Sequence, residues 1–250
     1  MRKLVFALAL LTAASSFAAN REVHKTLPLA ANGTVSLSTH NGTINVTTWN
    51  QPSIAIDAVI EPGPMSSHPE DVNLTEIRIS GGGASVNIES NYDKVPEHSW
   101  FGIGTVTSLP LVRYTLRVPA SAQMHITNHN ADTRVVGLRG DVRVRTHNGD
   151  TVLRDFDGAA DVDTHNGKVD IEYARYSKPA RVDTHNGDIT LTLPADARFS
   201  VHSVAHHGDL RSDFPMAERA SAGAVTGSVN GGGPEIRVSA HNGALRLRRR

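Results

Sequence analysis

No cysteine occurs among the 250 residues, which excludes disulfide stapling and lipid attachment through a thiol. Aromatic residues are scarce, at 5%, so a core has to be packed from small aliphatic side chains. Charge of one sign is missing too: 25 basic residues face 25 acidic ones. That balance excludes a general nucleic-acid surface, which relies on a concentrated positive field. Catalytic signatures are absent. Gly81-Gly82-Gly83 lacks the Lys-Ser/Thr of a phosphate loop, and neither a His-Glu-x-x-His zinc motif nor a nucleophile elbow occurs. The chain reads as non-enzymatic and without a cofactor.

What is present begins with an export pattern. Arg2 and Lys3 precede an apolar run from Leu4 to Ala14, and small residues follow through Ala19, the three parts of a secretory signal. The run is shorter than the about 20 apolar residues a spanning helix needs. Cleavage near Ala19 is expected to give a periplasmic or secreted chain with no transmembrane segment. Residues 1–19 are therefore assigned to the signal and 20–250 to a single β domain.

That domain is organised by a repeat. His129, His147, His165, His185 and His206 are separated by 18, 18, 20 and 21 residues. Three residues before them stand Ile126, Val144, Val162, Val182 and Ser203. Four and six after come pairs such as Thr151 and Leu153, Val169 and Ile171, and Ile189 and Leu191. Each unit is two short strands of period-two alternation broken at an Asn-Gly corner. Those corners are Asn148-Gly149, Asn166-Gly167 and Asn186-Gly187, and the same frame fits Asn41-Gly42 and Asn242-Gly243. Regular repeats span 122–212 and a last copy 235–247, whereas 50–120 reads as irregular or capping rungs. Within that stretch the excursion from Tyr92 to Gly104 and the paths of 50–120 and 213–234 are not set by the pattern.

An Asn-Gly pair can make a type I′ hairpin, or it can turn the corner of a solenoid. A fixed period favours the solenoid, because successive coils stack each corner on its predecessor at about 4.8 Å. A β-sandwich or roll of hairpins is the alternative. Outward residues support stacking: Arg143, Asp161 and Arg181 alternate in sign four residues before the histidines, although Asp163 and Asp183 would be like-charged neighbours.

The run Tyr114-Thr115-Leu116-Arg117-Val118-Pro119-Ala120, feeding into the Thr-His-Asn-Gly units at 146–149, 164–167 and 184–187, resembles the bacterial DUF4097-like family of β-strand-repeat adhesins. Asn148-Gly149-Asp150 and Asn186-Gly187-Asp188 match its repeat, while Lys168, His207 and Ala131 depart from it. The resemblance implies an all-β, right-handed parallel β-helix (solenoid) or β-roll with irregular N-terminal rungs, and no general catalytic activity.

The resulting expectation is an exported, non-catalytic structural or binding module of the bacterial envelope, adhesin-like, with an envelope glycan or envelope protein as partner. Two alternatives remain open at this point. One is a glycan-acting enzyme using Asp161, Asp163 and Asp183. The other is a metal-binding periplasmic protein using the row His129, His147, His165, His185 and His206. Imidazole suits zinc, copper and nickel, but parallel stacked rings converge poorly on one ion, so any such row is expected to bind weakly.

Overall fold

The computed structural model describes residues 20–64, 66–96, 108–221 and 224–250. The expected signal segment and positions 97–107, which include the end of the excursion, lie outside these. Burial alternates residue by residue along the strands, as in β5 (Gln123–Val136), and the alternation breaks only at His129-Asn130. That break is the corner. It divides each coil into two arms that point alternate side chains inward.

Regular coils are β6 (Val142–Asn148) with β7 (Thr151–Phe156), β8 (Ala160–Asn166) with β9 (Val169–Tyr173), and β10 (Ala180–Asn186) with β11 (Ile189–Leu193). Equivalent residues pair in parallel from coil to coil, so that Val144 faces Val162 and Val162 faces Val182. The two arms of a coil do not pair with each other. This is a parallel β-solenoid, and the hairpin alternative falls.

The coils do not follow chain order at either end. β12 (Phe199–His207) and β13 (Leu210–Ser212) continue the sequence after β11, yet the last two strands, β16 (Glu235–Asn242) and β17 (Leu245–Arg249), are inserted between them and the coil below. At the other end β1 (Arg21–Trp49) lies between β5 on one side and β3 (Glu76–Asn91) with β4 (Leu111–Pro119) on the other. β2 (Ser53–Glu61) pairs antiparallel with both β1 and β4. β15 (Ala224–Val229) pairs antiparallel with β12 and carries β14 (Ala217–Ser221) on its far edge. Antiparallel strands thus cover part of each end of the stack, where open parallel edges would template association. The glycine triplet lies inside β3, with φ of +96°, +147° and +66° at Gly81, Gly82 and Gly83.

Inside, rows of aliphatic residues run along the stack, among them Val142, Val144, Val162, Val182, Ile236 and Val238, each no more than 2% exposed. The few aromatics are concentrated in a file that the sequence reading did not foresee. Phe156 meets Tyr173 at 5.4 Å, Tyr173 meets Tyr176 at 5.0 Å, and Phe199 meets Phe214 at 5.3 Å. Edge-on and tilted packing of this kind adds to the burial of large apolar area. No helix among the described residues is long and apolar enough to cross a membrane.

Candidate functional site

The corner column is built first by its glycines. Gly42, Gly149, Gly167, Gly187 and Gly243 all have positive φ, from +132° to +158°. Space is the stronger constraint: a Cβ on Gly167 would sit 2.1 Å from the carbonyl oxygen of Gly149, and one on Gly187 would sit 1.9 Å from that of Gly167. Successive corners pass so close that only hydrogen fits between them. Ala131 occupies the glycine place in β5 without positive φ. There Asn128 substitutes for the usual threonine, and its side-chain oxygen accepts the Ala131 N–H at 3.2 Å.

Next to each glycine the asparagine amides form a ladder. Asn130 donates to Asn41 at 2.9 Å, Asn148 to Asn130 at 2.6 Å, Asn166 to Asn148 at 2.8 Å, Asn186 to Asn166 at 2.7 Å and Asn242 to Asn186 at 2.8 Å. Carboxylates just past the corner also act between coils. Asp132 accepts the Asp150 N–H, Asp150 the Lys168 N–H and Asp188 the Ala244 N–H, at 2.8, 2.8 and 3.0 Å. That backbone bond and Arg246 hold the Asp188 carboxyl below the usual carboxylate range.

One residue before the asparagines, the imidazoles stack. Centroids are 4.7 Å apart for His40 and His129, 4.8 Å for His129 and His147, 4.8 Å for His147 and His165, 4.7 Å for His165 and His185, and 4.6 Å for His185 and His241. From His129 to His241 the planes are within 4° of parallel. The expected row therefore needs correcting at its end. His206 does not follow His185; it lies beyond His241, 5.2 Å away and tilted by 46°, with His207 edge-on at 5.8 Å. The physical reason is the insertion of β16 between β10 and β12. His40, outside the regular run, begins the column and touches Tyr92 at 6.3 Å.

A shallow, open groove follows this column. His147, His165, His185 and His241 form one wall, while Thr127, Arg145, Asp163, Asp183 and Ser239, two residues earlier on each strand, form the other; Thr146, Thr164 and Thr184 lie between. Asp163 and Asp183 are register neighbours, as the sequence required. Arg181 relieves this by turning along its own strand to Asp183 at 2.7 Å, and not to Asp161. Asp161 is held by Arg143 at 3.0 Å and Arg145 at 2.9 Å. Partial burial works against its ionisation, but the two guanidiniums win and depress its pKa. At both ends of the column, His40 and His241 are held below the ordinary imidazole range, by desolvation first and by neighbouring imidazoles second.

Ring nitrogen lone pairs lie in the ring planes, so stacked parallel imidazoles direct them side by side. Among the described residues no group of three or more His, Cys, Asp or Glu is placed to hold a metal ion. What the arrangement offers is a repeated line of imidazole edges and guanidinium-matched carboxylates.

A family model described as Toastrack DUF4097 matches residues 9–248. A solved structure named as a "putative cell adhesion protein" from Clostridium sporogenes is similar in fold, with a TM-score of 0.56 at 12% identity, covering 93% of this chain and all of that one (100%). A "putative adhesin" from Bacteroides fragilis aligns over 92% of this chain and 97% of its own, at 10% identity and a TM-score of 0.43. No curated protein matches the chain.

Proposed function

We propose that this chain, which belongs to the Toastrack DUF4097 family, is an exported, non-catalytic binding module of the bacterial envelope whose binding face is the histidine groove. The observation that carries this reading is the uniformity of the column. From His129 to His241 every step repeats the same spacing and the same ring orientation. A repeated surface offers equivalent contacts to an extended ligand, whereas a reaction centre needs unlike groups converging on one point. Two of the three carboxylates that a glycan-cleaving site would use are instead occupied, Asp161 by Arg143 and Arg145 and Asp183 by Arg181, whereas Asp163 has Arg145 only at 3.9 Å.

Adhesion, the role named for the Clostridium sporogenes protein of similar fold, is the kind of work such a face does. Placement in the periplasm or outside the cell rests on the signal pattern of residues 1–19. The test is to incubate the protein lacking residues 1–19 with a panel of envelope glycans, following both retention and product release. Saturable retention without product supports the reading. Glycan turnover that disappears in Asp163→Asn overturns it.

A further inference from the structure

We propose that the histidine groove is a protonation-gated site for a linear polyanion bearing phosphodiester or phosphate-ester groups, an inference that rests on the groove being a binding face. Imidazoles at the 4.6–4.8 Å steps of the column cannot become charged independently. Each imidazolium raises the cost of charging the next, because like charges at this separation repel even in water. A chain of anions lying along the column removes that cost, since each negative group sits near two rings at once. Binding and proton uptake are thereby linked.

The charged groups around the column leave this gating to the histidines. On the groove's other wall Arg145 approaches Asp163 at 3.9 Å and Arg181 holds Asp183 at 2.7 Å. Behind them Arg143 and Arg145 hold Asp161. Past the corner, Asp188 pairs with Arg246 and Asp209 with Arg211, and Lys168 stands between Asp150 and Asp188. Asp132 and Asp150 have their carboxylates bonded to backbone N–H groups of the next coil. At the ends, His40 meets Tyr92, while His206 and His207 press on His241. Near neutral pH these charges largely cancel and the groove has little attraction for an anion. When the pH falls below the imidazole range, one straight line of positive charge develops on an otherwise balanced wall. His40 and His241, at the ends, are held below the ordinary imidazole range by desolvation and neighbouring rings.

Phosphodiesters keep their charge at every pH at which the imidazoles are protonated, whereas carboxylate polymers keep theirs only down to pKa values of about 4, so the phosphate class matches the groove over its whole charged range. The column from His40 to His241 is roughly 24 Å long at the strand spacing, so a polymer of several anionic groups is needed to fill it.

Calorimetric titration with inorganic polyphosphate at pH 5.5 and pH 7.5, in buffers of different ionisation enthalpy, tests the proposal on the protein lacking residues 1–19. Binding at pH 5.5 with net proton uptake is expected, weakening with salt and becoming about tenfold weaker or more at pH 7.5. The joint His147→Gln, His165→Gln and His185→Gln variant should lose it, and the single His165→Gln variant, gentler on folding, should weaken it. Substituting Arg248, Arg249 and Arg250 by Ser should leave it intact. Equal affinity at the two pH values, binding without proton uptake, or loss with the terminal arginines but not with His165→Gln would overturn the proposal. A neutral glucan retained equally at both pH values, with polyphosphate not bound, would overturn it while leaving the binding-module reading standing. Shortening of the glucan would overturn that underlying reading instead.

Discussion

His185 and His241 stack face to face, 4.6 Å apart and 4° from parallel, although the five strands from β11 to β15 lie between them in the chain. The contact exists because β16 is paired on both sides, with β10 and with β12. Strands near a chain terminus ordinarily fray. Here the amides from Ile236 to Asn242 are expected to exchange with solvent as slowly as those of β10, and more slowly than those of the edge strand β14. Hydrogen exchange read by mass spectrometry or NMR checks this, and fast exchange of β16 would refute the inserted position.

Asn166 makes two ladder bonds, donating to Asn148 at 2.8 Å and accepting from Asn186 at 2.7 Å. Asn166→Ala breaks both and leaves two half-buried amides short of a partner. A loss of about 1 to 3 kcal/mol is expected, at about 0.5 to 1.5 kcal/mol net per bond. Asn166→Asp keeps the acceptor but loses the donor while ionised, and regains an O–H donor when protonated, so its midpoint should approach wild type only at acid pH. Denaturant midpoints at constant slope measure both.

Gly167→Ala should cost more than Asn166→Ala. The added methyl meets the Gly149 carbonyl oxygen at 2.1 Å, and the backbone there has φ of +153°. Both the contact and the conformation penalise a side chain, and each alone is worth about 1 to 3 kcal/mol. Gly167→Val should be worse again. A midpoint unchanged in Gly167→Ala would mean the corners are not packed backbone on backbone.

Acid is expected to destabilise the fold in two stages. His40 and His241 have folded pKa values below the unfolded value of about 6.5. The unfolded chain therefore binds their protons first, and their contribution is full above about pH 6.5 and lost as the pH falls toward the folded values. Asp161 and Asp188 are also depressed, so their contribution is present above the usual carboxylate range and lost as the pH falls through the folded values. Melting temperature should drop between about pH 7 and pH 5 and again below about pH 4. In the His40→Gln, His241→Gln variant the first drop should shrink.

Much of the coil was legible because period-two alternation and the Asn-Gly corner are local signals. Val144, Val162 and Val182 declared an inward row, and Asp163 beside Asp183 was a forced consequence of register. Coil order was not legible in the same way, because every copy carries nearly the same motif and parallel pairing accepts any of them. One clue was available. His207 stands where the other coils have the ladder asparagine, so that coil cannot continue the amide ladder as Asn242 does, and it belongs at an end. The aromatic file of Phe156, Tyr173, Tyr176, Phe199 and Phe214 was hidden because its members come from arm ends and loops outside the repeat frame. Arg181 also chose Asp183 over the cross-strand partner Asp161, a choice of rotamer that spacing does not determine.

Central to this account is a single corner column assembled from coils out of chain order, and the absence of native cysteine permits a direct test. Thr190 is in register with Arg246, whereas chain order would place Arg211 beside it. Neighbouring parallel strands bring Cα atoms within the about 4.4 to 6.8 Å that a disulfide tolerates, and a second coil away does not. Under mild oxidation the Thr190→Cys, Arg246→Cys variant is predicted to form an internal disulfide, and the Thr190→Cys, Arg211→Cys variant is predicted to remain reduced. Efficient closure of the second pair with none in the first would contradict the inserted coil and the continuous histidine column built on it.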